Sequence, residues 1–153
     1  MFNLYHVAFM LLCSALVLIM TPALGFFYGG MVNHRNVIST IFQSYISIGV
    51  ITVLWIALGY SLAFGSDGGS GIIGNPREFF MYNNVGALPH PTLGPTIPNT
   101  VYSMFQLMFA IITPALVSGA LAERINFDAW IVFIAIWHLV VYCPLAHMVG
   151  GFI

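Results

Sequence analysis

Every formally charged side chain of this 153-residue chain falls in a break between four long apolar runs. Arg35, Asp67, Arg77, Glu78, Glu123, Arg124 and Asp128 leave the runs themselves uncharged. A charge at a bilayer centre costs roughly 2.5–3.5 kcal/mol on insertion scales, and about 20 apolar residues cross the hydrocarbon core as a helix. The pattern predicts an all-α, polytopic transmembrane helix bundle of about four spans. Only 5% of the residues are charged, against about 25% in an ordinary soluble domain. With no lysine and a net charge of −1, the chain lacks the basic surface that nucleic acid requires and any polybasic lipid-binding segment.

Residues 1–153 read as one domain. The expected spans are 5–28, 37–64, 100–122 and 128–149. Short breaks lie at 29–36 and 123–128, and a Gly-, Pro- and Asn-rich outer loop occupies 65–99. The stretch Val7 to Phe27 has no positive segment before it and exceeds the roughly 7–15 apolar residues of a signal peptide, so it is expected to remain as the first span. Arg35 and Arg124 place the two short breaks in the cytosol, leaving Arg77 and the N-terminus outside. Tyr5, Tyr60, Tyr102 and Trp130 lie near span ends, as interfacial anchors do.

Pro22, Pro114 and Pro144 interrupt spans, each removing a backbone donor. Neighbouring helices must satisfy the carbonyls so freed. Gly25 with Gly29, and Ala115 with Gly119, give small-xxx-small spacing for close helix contact. Cys13 and Cys143 sit within apolar runs and read as small buried hydrophobes. His138 lies within the fourth span, where an ionisable residue is a functional candidate by default. His147 is nine positions further on and would point the opposite way on a straight α-helix. The bland reading of His138 is a bundle-facing ring bonded to a neighbour. No nucleophile–base–acid group, phosphate loop or metal spacing occurs, so neither an enzyme nor a cofactor or metal site is expected.

The segment FQLMFAIITPALVSGALAERINF, residues 105–127, closely resembles the third span and following turn of the ammonium transporter family. LIMTPALGFFYGGMVNHRNV at 18–37, LWIALGYSLAFG at 54–65 and VYCPLAHMV at 141–149 resemble its first, second and fourth spans, in order. The resemblance implies an integral protein of a plasma or inner membrane, built on an inverted-repeat transporter fold and assembled as a homotrimer with a pore in each subunit. It implies ammonium as the substrate, deprotonated before neutral ammonia crosses a hydrophobic lumen lined by two histidines. Phe105 and Phe109 match the phenylalanines that gate that pore, although a Phe pair in an apolar helix ordinarily packs or meets lipid. Gln106 reads as a helix–helix hydrogen bond and His147 as a structural one. Glu123, Arg124 and the turn Asn33 to Asn36 read as structural.

Two departures from the family pattern shape the expectation. Gly150 follows His147-Met148-Val149 where the family has a Trp that walls the outer ammonium site. The sequence also stops at Ile153, before the family's fifth span and second repeat, which carry the two pore histidines. The expected function is therefore ammonium transport as the N-terminal portion of a transporter, with conduction by this piece alone not expected. The alternative is a truncated membrane protein that associates with full-length subunits and perturbs them. An unrelated small membrane protein or membrane enzyme is the remaining reading.

Overall fold

The computed structural model describes residues 2–67, 69 and 71–150; Ile153 lies outside the described residues. Four helical segments are long and apolar enough to cross a membrane: Leu4–Gly29, Val37–Phe64, Asn99–Leu121 and Phe127–Gly150. The first is a single helix, α1 (Leu4–Gly29), with Pro22 inside it. Its N-cap is Asn3, whose side chain accepts the Tyr5 N–H and meets one of the orphan donors of the first turn. The face it buries is made of small residues, Ser14, Thr21, Gly25 and Gly29.

The second and fourth segments are not plain α-helices. α2 (Val37–Leu54) passes into a π-helical turn at Trp55–Gly59 and then α3 (Tyr60–Phe64). There the Tyr60 N–H reaches back five residues to the Trp55 carbonyl. α5 (Phe127–Trp137) likewise passes through a π turn at His138–Tyr142 into α6 (Cys143–Gly150), with the Cys143 N–H on the His138 carbonyl. The third segment is one helix, α4 (Asn99–Leu121), entered through Pro98 and containing Pro114. Proline at the entry fits, because the first turn has no use for that N–H.

Helix α1 packs on both α2 and α4, α2 on α4 and α5, and α3 on α6. Small residues let these backbones approach: an added Cβ at Gly25 would lie 3.1 Å from the Ser44 Cβ, and one at Gly119 would lie 2.6 Å from the Tyr28 ring. The core gathers Ile51, Trp55, Tyr60, Phe64, Ile111 and Trp130. The connection between α3 and α4 is irregular, with a short 3-10 turn at Phe80–Tyr82. It is tied down by Phe79, which is buried, and by the Tyr82 hydroxyl, 2.8 Å from Ser103 Oγ.

Two expected interfacial anchors prove to be core residues. Tyr60 and Trp130 are fully buried, because each has a polar partner inside the bundle. The Tyr60 hydroxyl donates to Asn99 Oδ1 at 2.5 Å, and the Trp130 indole N–H donates to the Gln43 carbonyl at 3.1 Å. Buried Tyr and Trp are tolerated when their polar atom is matched in this way. Tyr5, by contrast, is exposed.

Candidate functional site

Helix α4 has two unlike faces. One is buried and includes Ser103, Leu107, Ala110, Ile111, Pro114 and Ser118. The other carries Phe105, Phe109 and Leu116, of which Phe109 is 39% and Leu116 49% exposed. Phe105 and Phe109 are one turn apart, so their rings meet on that face. The centroids are 5.1 Å apart and the planes cross at 74°. This edge-to-face arrangement matches the positive rim of one ring to the negative face of the other and leaves π surface open along the helix. Gln106, between them, does not bridge helices: its amide N–H donates to the Tyr102 hydroxyl at 3.3 Å on the same helix. Spacing of four residues suffices to explain that bond. The Thr113 hydroxyl donates to the Phe109 carbonyl at 2.6 Å, so this polar side chain is folded back onto its own backbone.

His138 and His147 are both fully buried. A straight α-helix would set them on opposite sides, but the π turn at His138–Tyr142 separates them and shifts the phase of everything after it. His138 stacks on Tyr142 at 5.3 Å, lies 5.9 Å from Trp55 and has the Cys143 sulfur 3.6 Å from Nε2. Opposite stands Gly59 of the other π turn, where a Cβ would sit 2.7 Å from that Nε2. Glycine here is a requirement of the histidine's position. His147 Nδ1 lies 3.1 Å from the Ala63 carbonyl and Nε2 lies 3.9 Å from Asp67 Oδ1, so this ring fastens the C-terminal ends of the second and fourth segments. Among the described residues, no ring contact joins His138 to Phe105 or Phe109.

At the opposite end, Glu123 has a left-handed backbone, φ 65°. Its Oε1 accepts from the Asn33 N–H at 2.8 Å and from Asn36 Nδ2 at 3.1 Å. The Asn33 bond, then the Asn36 bond, holds the carboxyl below the usual carboxylate range. The residue thus joins the turn after α1 to the end of α4. At the far end of the chain an added Cβ on Gly150 would lie 3.4 Å from the Phe64 ring, so an aromatic side chain there would adjoin an existing aromatic. Cys143 is buried, Cys13 half-buried, and both are free thiols. Among the described residues, no group of three His, Cys, Asp or Glu could hold a metal ion.

The π turns and the Gly59–His138 contact had no sign in the hydrophobic pattern, which is the same for an α and a π turn. The Glu123 link had one: acceptor and amide partners sit in the two short polar breaks.

Residues 8–152 match the sequence profile of the Ammonium Transporter Family. An ammonium transporter of Mycobacterium tuberculosis H37Rv is 49% identical over 158 aligned residues, covering 95% of this chain and 33% of the relative. A putative ammonium transporter of Methanothermobacter thermautotrophicus is 45% identical over 156, covering 100% of this chain and 38% of the relative. Among solved structures, Mep2 of Candida albicans superposes with a TM-score of 0.85 at 30% identity, over 99% of this chain and 32% of the other. The chain thus spans about a third of the length of the relatives it matches.

Proposed function

Since this chain belongs to the ammonium transporter family, we propose that it forms one wall of a pathway carrying ammonium nitrogen across a membrane, with Phe105 and Phe109 as its gate. The observation that carries this reading is the edge-to-face phenylalanine pair at 5.1 Å on the more exposed half of α4, with Phe109 exposed and Phe105 half-buried. A bare ammonium ion in an apolar lumen faces a Born cost of order tens of kcal/mol. Aromatic faces replace part of its hydration, at about 2 kcal/mol or more when desolvated. They cannot replace all of it, so the proton must travel separately and ammonia alone pass the gate. Helix α4 carries no carboxylate or histidine to take that proton, so further helices must supply the second wall and the proton acceptor. Those helices come from more of the same inverted-repeat fold, and the assembly is a homotrimer with one pathway per subunit. The chain is oriented with its N-terminus outside and Arg35 and Arg124 in the cytosol of a plasma or inner membrane.

The same half of α4 supports a second reading, in which the chain docks on full-length subunits without conducting. Uptake of labelled methylammonium by cells lacking their own ammonium transporters separates the two. Uptake above background when this chain replaces the matching third of a full-length relative supports the pathway, and Phe109→Ala should then lower it about tenfold, the loss of roughly 1.4 kcal/mol of cation–π attraction. Reduced uptake by a co-expressed full-length relative, with co-purification of the two, supports docking. Neither effect would reject both readings.

A further inference from the structure

A polar cavity of about 230 Å³ opens where the turn before α2 meets the turn between α4 and α5. It is lined by Asn36, Ser39, Thr40, Gln43, Glu123 and Asn126, with no basic residue among them. Gln43 is only 3% exposed, and its Oε1 has no hydrogen-bond partner. A buried acceptor left unmatched in this way calls for a water or an ion. Glu123 commits one oxygen to Asn33 and Asn36, and its other oxygen takes no bond among the described residues. The Thr40 hydroxyl donates to the Asn36 carbonyl at 2.9 Å, which leaves its lone pairs free to accept.

The unmatched groups on the cavity wall decide the sign of the ligand. α2 and α5 both start at this cavity, and neither of their N-caps, Asn36 and Asn126, makes a side-chain cap bond. Each helix start carries about half a positive charge. Against these stands the Glu123 carboxylate, and the unmatched Gln43 Oε1 and the second Glu123 oxygen are both acceptors, which suit a cation and not an anion. Arg35 and Arg124 adjoin lining residues in sequence but do not line the cavity. A divalent ion is disfavoured, because such ions are held by several carboxylates or by phosphates, and only one carboxylate faces this space.

We propose that this cavity binds a singly charged cation of potassium or ammonium size, held by the Glu123 carboxylate, the Gln43 amide oxygen and the Ser39 and Thr40 hydroxyls. The site lies apart from the Phe105–Phe109 face and does not depend on it. A bound cation ties the start of the second span to the turn after the third.

Trp130 supplies the readout, because its indole N–H bonds the Gln43 carbonyl at 3.1 Å. The full chain in lipid nanodiscs is titrated with potassium chloride against choline chloride at constant ionic strength, following tryptophan fluorescence. A saturable change with potassium and none with choline is expected. Repeating it with ammonium chloride identifies the preferred ion by the lower midpoint. Glu123→Gln should raise the midpoint about tenfold or more, the loss of one charged contact. Arg124→Gln, which touches nothing in the cavity, should leave it within about twofold. Should Glu123→Gln fail to fold, Ser39→Ala replaces it and should raise the midpoint roughly threefold. An equal response to choline, or a midpoint unmoved by these lining variants, would overturn the proposal.

Discussion

Only 11% of the most apolar stretch of the first span is buried within the chain, against 44% of the third, although the first has the higher mean hydropathy, 2.4 against 1.8. Hydropathy measures fitness for lipid, and lipid tails satisfy a leucine as well as a protein core does. What α1 turns inward is small, Ser14, Thr21, Gly25 and Gly29, while Leu12, Leu16 and Ile19 face out. What α4 turns inward is both large and polar, from Ile111 and Leu107 to Ser103 and Asn99. The first span is held by close backbone approach, the third by side-chain packing and hydrogen bonds. Membrane helices associate through these two means when no hydrophobic drive separates helix from lipid.

Truncating side chains tests this contrast most severely. Ile111 is 1% exposed and Leu16 is 58% exposed. Ile111→Ala should cost about 2–5 kcal/mol through lost contacts and a cavity, and Leu16→Ala under about 0.5 kcal/mol. Unfolding in mixed micelles of rising dodecyl sulfate content, read by tryptophan fluorescence, measures both. Equal losses would mean that α1 has a protein partner on its outer face.

Backbone approach can be probed next. Gly119→Val should cost about 1–3 kcal/mol by overpacking, because its Cβ must enter the Tyr28 ring at 2.6 Å. Gly30 has only ordinary contacts, at 3.5 Å and beyond, so Gly30→Ala should leave the unfolding midpoint within error. Hydroxyl removal is a smaller effect. Ser103 takes the Trp55 indole N–H at 3.3 Å and meets the Tyr82 hydroxyl at 2.8 Å, so Ser103→Ala should cost about 1–2 kcal/mol in unmatched partners. Ser14 bonds only the Met10 carbonyl of its own helix, and Ser14→Ala should be near neutral in the same assay.

The smallest effect concerns the link between the two spans. The pKa of Glu123 is lower in the folded chain than its ordinary value of 4.5. Its contribution is therefore present above that ordinary value and lost as pH falls through the lower, folded one. An unfolding-midpoint series from neutral to acid pH should decline for the native chain and decline less for Glu123→Gln. Identical profiles would show that the contact with Asn33 and Asn36 adds no stability.

Much of the fold was legible without coordinates, because the bilayer leaves few choices. The all-helical, four-span class follows from uncharged runs of sufficient length, since only intrahelical hydrogen bonds satisfy the backbone in lipid. The motif of residues 105–127 also pointed to its family. The sequence placed Phe105 and Phe109 on one helical face by their spacing, but it could not say which face of α4 the bundle would cover. It assigned Tyr60 and Trp130 to the interface from their position near span ends, whereas their partners Asn99 and the Gln43 carbonyl draw them inside.

The sequence by itself determined that this chain enters a membrane as helices and where its charges can stand, because transfer costs act residue by residue. Tertiary structure alone decided the phase of the helices. The two π turns bring His138 and His147 both into the interior, and Gly59 gives the first of them room. The matching of Glu123 to two asparagine donors across 90 and 87 residues is likewise a property of the assembled bundle. Hydropathy is a sum over residues, while phase and partnership depend on where a second helix lies.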